Sequence, residues 1–178
     1  MNTIGATPDD WASHFRLMEN MDMSAYTGTH YNIIGNSTTP FTGTFDGNKH
    51  IISGLSFTTA ASVDKVGLFG WIENAVIRDL GLENVTIASG GKHVGGLVGN
   101  NHASITNSYT TAIVQGIGNY IGGLVGTNNG TIASSYTQGT IYGIGDYIGG
   151  LVGENSSTIF TCYTTGTVVN IGDYVGGF

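Results

Sequence analysis

The sequence predicts an all-β fold, a parallel β-helix (β-solenoid) of about 27 residues per coil, and three observations carry that reading. The first is repetition. YIGGLVG stands at 120–126 and again at 147–153, HVGGLVG opens at His93, and YVGGF begins at Tyr174, so the four starts are 27 residues apart without a gap. The second is the content of the aligned columns. Val94/Ile121/Ile148/Val175 and Val114/Ile141/Val168 are apolar and β-branched, which favours strands, and the apolar runs are too short for ordinary helices. The third is composition. Thirty glycines and only two prolines accompany 40% hydrophobic residues, and Gly, Asn, Ser and Thr fill the positions between the apolar columns as turn residues do.

In a parallel coil each strand pairs with its own copy one coil away, at about 4.8 Å. Each column then becomes a ladder of like side chains. Leu97/Leu124/Leu151, Ile105/Ile132/Ile159 and Ile117/Ile144/Ile171 are expected to stack into a continuous core. Tyr109/Tyr136/Tyr163 are expected to stack as aromatics, and Asn101/Asn128/Asn155 to form an amide ladder at a turn. The glycines of GGLVG are expected at sharp corners, where positive φ and close backbone approach are both needed. The parallel crossover is expected to be right-handed.

Residues 1–178 read as a single domain. Residues 93–173 form three regular units and 174–178 begin a further coil. Residues 21–92 read as less regular coils: VGLFG at 66–70 is a shortened VGGLVG, and FTGTFDGNKHIISGLSF at 41–57 reads as strand, turn, strand. Residues 1–20 read as an N-terminal cap. There Thr7 as N-cap, Pro8 at the first helical position and Asp9 and Asp10 in the first turn predict a short helix over 8–15. That helix would lay Trp11 and Phe15 over the first coil, and FRLMENMDMS would follow as the first strand.

Charge and cysteine content narrow the function. The net charge is −7, and Arg16, Lys49, Lys65, Arg78 and Lys92 are the only cations, leaving none in 93–178. A nucleic-acid partner needs cations against its phosphates, and an anionic membrane surface needs the same, so neither is expected. No apolar run is long enough to span a bilayer, and no charged and apolar leader opens the chain. Cys162 is the only cysteine, so no intrachain disulfide can form.

The segment GGLVGTNNGTIASSYTQGTIYG at 122–143 resembles the GLUG-motif repeats of bacterial secreted and surface proteins, and the segments at 41–57 and 66–87 resemble those that precede such repeats. In the first regular unit His102-Ala103 replaces the usual Asn-Gly. The resemblance implies an extracellular, non-enzymatic β-helix module of the kind found in adhesin-like molecules, one that presents its ladders to a host or matrix protein, to a glycan or to another copy of itself.

The alternatives rest on particular columns. A phosphate cradle is excluded because neither a helix nor a Lys follows the glycines, and no His-Glu-x-x-His occurs. Asp146 and Asp173, with Glu154 nearby, are the best carboxylate group for a carbohydrate-cleaving β-helix or a weak calcium site. Turn chemistry explains them more simply, since Asn119 fills the same column without charge. Thr110/Thr137/Thr164 could form an outward array of the ice-binding kind. Tyr120/Tyr147/Tyr174, headed by His93, could stack on sugars or on each other. No catalytic residue and no cofactor is expected.

Overall fold

The computed structural model describes residues 1–177 and is the expected parallel solenoid; Phe178, the last residue of YVGGF in the further coil expected over 174–178, lies outside the described residues. Three parallel sheets run along it. The first takes His14–Arg16, Thr44–Asp46, Phe69–Arg78, Val98–Thr106, Val125–Asn128 and Val152–Asn155 in that order through six coils, and the last two coils add Thr131–Ala133 and Thr158–Phe160 beside the second half of Val98–Thr106. The second runs from Met21–Asp22 through Ile51–Ser53, Gly81–Ser89, Tyr109–Gly116 and Tyr136–Gly143 to Tyr163–Asn170. The third is narrow, with Val94–Gly95, Ile121–Gly122, Ile148–Gly149 and Val175–Gly176. No helix among the described residues is long and apolar enough to cross a membrane.

The register is the one the columns predict. Tyr109 pairs with Tyr136 and Tyr136 with Tyr163, Val125 with Val152, and Ile121 with Ile148. Upstream the period stretches. The partners His14↔Thr44, Thr44↔Val76 and Val76↔Ser104 are 30, 32 and 28 residues apart, against 27 for Ser104↔Thr131. Part of the excess is taken up inside paired strands, where the register shifts between Glu73 and Val76 and between Thr110 and Ala112. The upstream interior is more aromatic, with Phe41, Phe45 and Phe69 buried and Phe69 5.1 Å from Phe41 and 5.6 Å from Phe45 between centroids. Downstream the interior narrows to Leu97, Leu124 and Leu151 with Val98, Val125 and Val152, all fully buried.

The N-terminal cap departs from its expected form. The α-helix is Asn2–Ala6, and Pro8–Asp10 is only a 3-10 turn. The residues expected to finish the helix are drawn into the sheet. The Trp11 carbonyl accepts the N–H groups of Thr42 (2.9 Å) and Gly43 (3.0 Å) from the next coil, so no later turn of helix can use it. Phe15 then pairs with Phe45 inside the strand His14–Arg16. FRLMENMDMS accordingly splits into two strands, His14–Arg16 and Met21–Asp22. Trp11 does cover the first coil, buried and tied to the helix by its indole N–H on the Ile4 carbonyl at 2.7 Å.

Left-handed backbone falls on side-chain-bearing residues at two corners. At one, Lys65 (φ 60°), His93 (58°), Tyr120 (68°), Tyr147 (62°) and Tyr174 (57°) form a continuous column. The glycines of GGLVG that follow have no positive φ, so they serve close approach alone, and the conformation expected of them lies on the residue just before. At the other corner the column is Asp79 (51°), Asn107 (49°), Ser134 (48°) and Thr161 (54°). A β-branched residue in that region is strained by about 1–2 kcal/mol. The exposed Thr161→Asn substitution should therefore raise stability by roughly 0.5–1 kcal/mol, read as a higher denaturation midpoint.

Candidate functional site

Two aromatic ladders run along the outside of the solenoid. In the one set by the left-handed corner, His93 stacks on Tyr120 (4.9 Å between centroids, 13°), Tyr120 on Tyr147 (5.2 Å, 22°) and Tyr147 on Tyr174 (4.7 Å, 7°). The rings of this candidate column are spent on each other, and their edges face outward. Each stacked pair contributes about 0.5–1.5 kcal/mol beyond its buried area, which offsets the backbone strain beneath it. His93 is held further by its Nδ1, 2.8 Å from the Thr127 hydroxyl. Burial, then the neighbouring Lys65, lowers its pKa and keeps the imidazole neutral.

The second ladder is Tyr109, Tyr136 and Tyr163, with centroids 4.8 and 4.9 Å apart and planes within 5°. Tyr109 donates its hydroxyl to Glu83 at 2.7 Å. Burial, then that hydrogen bond, pushes the phenol pKa up to about 12, so Tyr109 remains a donor at physiological pH. At the upstream end Tyr109 pairs with Gly81, which has no side chain to continue the stack.

The Thr column lies on the opposite side of the strand from the one expected. Thr110 and Thr137 are buried and Thr164 is half-buried, so they are not an outward array. Thr110 donates to the Gly123 carbonyl at 2.9 Å and its hydroxyl lies 2.7 Å from that of Thr137. The Gly123 carbonyl at the diglycine corner already accepts the Gly96 N–H at 3.2 Å and takes the Thr110 hydroxyl as a second donor, so the buried hydroxyl finds its partner there. The Ile117/Ile144/Ile171 column is displaced in the other sense. These side chains are 58%, 53% and 82% exposed and form an apolar ridge beside Tyr142, not a core ladder. Glycine occupies the inward position just before the first two, Gly116 and Gly143, because a Cβ there would meet the Ile121 or Ile148 side chain.

Asp146 and Asp173 are column neighbours, as their spacing predicts, and they act in the turn. The Asn119 side-chain carbonyl accepts the Asp146 N–H, and the Asp146 carboxylate accepts the Asp173 N–H, both at 3.1 Å. Among the described residues no three His, Cys, Asp or Glu side chains converge to hold a metal ion. A surface cavity that the sequence did not mark lies at the upstream end of the Tyr109 ladder, about 360 Å³ in volume and lined by Lys49, Asp79, Leu80, Gly81, Asn107 and Tyr109. The only signal for it was the loss of aromatic character where Gly81 meets the Tyr column.

Comparison with known proteins finds the repeat motif in the first regular unit. Residues 90–115 match the family model described as the GLUG motif. That stretch takes in most of the first regular unit, including the His102-Ala103 departure. No solved structure matches. The chain is similar to halomucin of Haloquadratum walsbyi (strain DSM 16790 / HBSQ001), 36% identical over 112 residues that make up 57% of this chain and 1% of halomucin. That relative is archaeal, so the similarity does not support the bacterial origin that the resemblance implied. The chain carries the GLUG motif within a parallel β-solenoid, and it is similar to a short stretch of a far longer protein.

Proposed function

We propose that this chain is a structural and adhesive module of a secreted or cell-surface protein, a rigid non-catalytic segment that presents side-chain ladders for contact with proteins, glycans or other copies of itself. The observation that carries the reading is the unbroken register of three parallel sheets through the 27-residue units, with amide and aromatic ladders on successive coils. Such a solenoid grows in length by repetition without changing its cross-section, which suits a spacer or a repetitive binding face. The similarity to halomucin, a large surface or secreted protein, supports an extracellular setting. The use of Asp146 as an acceptor for backbone N–H supports a structural role for that corner. An antibody raised against the folded segment should label intact source cells or their secreted matrix; labelling only after permeabilisation would refute the extracellular reading.

Self-association has its own support. Among the described residues Tyr163–Asn170 is the last strand of the second sheet, and its backbone groups suit pairing with a further coil, which another copy of the chain can supply. At its end Asn170 stands where Gly116 and Gly143 stand in the two preceding coils, and its side-chain amide is enclosed without a hydrogen-bond partner. Sedimentation should show concentration-dependent association that is lost when Thr167→Lys and Val169→Lys place charge on that edge. A strict monomer at every concentration would remove self-association from the proposal.

A further inference from the structure

The Tyr109 ladder ends in a feature that its structural role does not require. Tyr163, Tyr136 and Tyr109 stack on successive coils, and the next position in register is Gly81, followed by Ile51. The last ring therefore has no partner ring on its upstream side and rests partly on the Gly81 backbone, with the remainder lining the cavity. It leans over the glycine: a Cβ built at Gly81 would lie 2.6 Å from the Tyr109 Cζ and Oη and 2.8 Å from Cε1. The ring is fixed from three sides, by Tyr136 behind it, by Glu83 at its hydroxyl and by the Gly81 backbone below.

The wall beside this ring is built from the second left-handed corner. Lys49 (φ 65°), Asp79 (51°) and Asn107 (49°) come from three successive coils and line the same cavity. Asp79 accepts the Asn107 side-chain N–H at 3.2 Å. Its other carboxylate oxygen, the Asn107 side-chain carbonyl and the Lys49 ammonium make no further hydrogen bond or ion pair among the described residues. The corner is held in place beneath them. Lys49 N–H bonds the Asp79 carbonyl (2.9 Å), Asn48 N–H bonds the Asp46 carboxylate (2.8 Å), and Arg78 pairs with that same carboxylate (2.9 Å). A preset ring beside a preset row of acceptor and donor groups binds without paying for its own ordering.

We propose that this cavity is a saccharide subsite: one pyranose ring packs its C–H face against the part of Tyr109 that lines the cavity beyond Gly81 and presents adjacent hydroxyls to Asp79 and Asn107, with Lys49 at its rim. The chemistry favours a polyol over a planar base. The ring leans onto Gly81 and leaves no second parallel wall to sandwich a base. The polar row holds a carboxylate and an amide carbonyl, which accept from hydroxyls, together with an ammonium, which donates to them. The inference goes beyond the module reading above and can fail without it.

The test is ¹⁵N-resolved NMR of the whole chain, titrated separately with hexoses, N-acetylhexosamines and hexuronic acids, with nucleosides as the contrasting class. At least one saccharide should bind with a dissociation constant of about millimolar order and shift the amides of Lys49, Asp79, Gly81 and Asn107 together. Asp79→Asn tolerates the left-handed backbone and should weaken binding about tenfold, the loss expected for a charge-assisted hydrogen bond. Gly81→Ala should abolish binding by displacing Tyr109, and Tyr142→Ala, outside the cavity, should leave binding unchanged with the fold intact by circular dichroism. Saccharides at about 20 mM that shift none of these amides, or shifts that survive both cavity variants, would overturn the proposal. Binding of nucleosides in preference to saccharides would overturn it as well.

Discussion

Gly126→Ala should destabilise the protein by about 3 kcal/mol, a larger cost than an added methyl ordinarily brings on a protein surface. A Cβ at Gly126 would lie 2.6 Å from three backbone atoms at once: the Gly99 carbonyl oxygen, the His93 carbonyl carbon and the Val94 nitrogen. None is the end of a flexible side chain, so the coil itself must move. The same environment recurs at Gly99, which faces the Lys65 backbone, and at Gly153, which faces Tyr120 and Ile121. Each glycine of this column is thus seated against the left-handed residue of the coil before it. The melting temperature should fall by roughly 10 °C. Because coils contact only their neighbours, the loss should also be uneven. Hydrogen exchange should accelerate most in the coils beyond 126, while the aromatic-rich coils around Phe41, Phe45 and Phe69 hold. Gly177→Ala is the matched control: its nearest neighbour to an added Cβ is 3.9 Å away, and it should change stability little. Equal effects of the two substitutions would show that close approach is not what selects glycine at this corner.

The contrast between glycines marks what the sequence could and could not convey. Register was legible because parallel pairing maps each column onto itself: once the 27-residue period was seen, Tyr109↔Tyr136 and Asn101↔Asn128 followed. Which side of a strand faces inward was less legible. Strand alternation assigns faces only while the backbone is regular, and the corners break it. Thr110 turns inward where its hydroxyl finds the Gly123 carbonyl and the Thr137 hydroxyl at the diglycine corner, and Ile117 is left outside by the turn that follows Gly116. Hydrophobicity alone argued the reverse in both places. The left-handed corner was hidden for a similar reason. Glycine is the residue usually read as positive φ, but in this fold an aromatic stack makes Tyr affordable there. The cap was hidden because its helix, NTIGA, has no side-chain cap, while the stronger start signal at Thr7-Pro8 was overridden by pairing with the next coil. The cavity at Gly81 could be found only in space, since Lys49, Asp79 and Asn107 belong to three coils and to the stretch where the period is still irregular.

Asn128→Ala should cost about 3 kcal/mol, and the effect should depend on position along the ladder. The Asn128 amide is completely buried and fully used. It accepts from Asn101 Nδ2 (2.6 Å) and from the Gly130 N–H (3.3 Å), and it donates to Asn155 Oδ1 (2.7 Å) and to the Gly130 carbonyl (3.1 Å). Removing it strands the Asn101 side-chain donor, which is also completely buried, and leaves the Gly130 turn without its side-chain clasp. A buried group left unpaired costs about 1–3 kcal/mol, and more than one is affected here. Asn155 makes the equivalent turn contacts to Ser157 but is exposed, so water replaces those, and the Asn128 Nδ2 that it releases keeps the Gly130 carbonyl; Asn155→Ala should therefore cost less than Asn128→Ala, about 1 kcal/mol. The double variant Asn101→Ala with Asn128→Ala should cost less than the sum of its parts, because the second substitution removes the partner that the first had stranded. Urea midpoints for the three single variants and the double variant measure this directly. Strictly additive costs at 101 and 128 would mean that each Asn acts only within its own turn, and that the amide ladder does not couple one coil to the next.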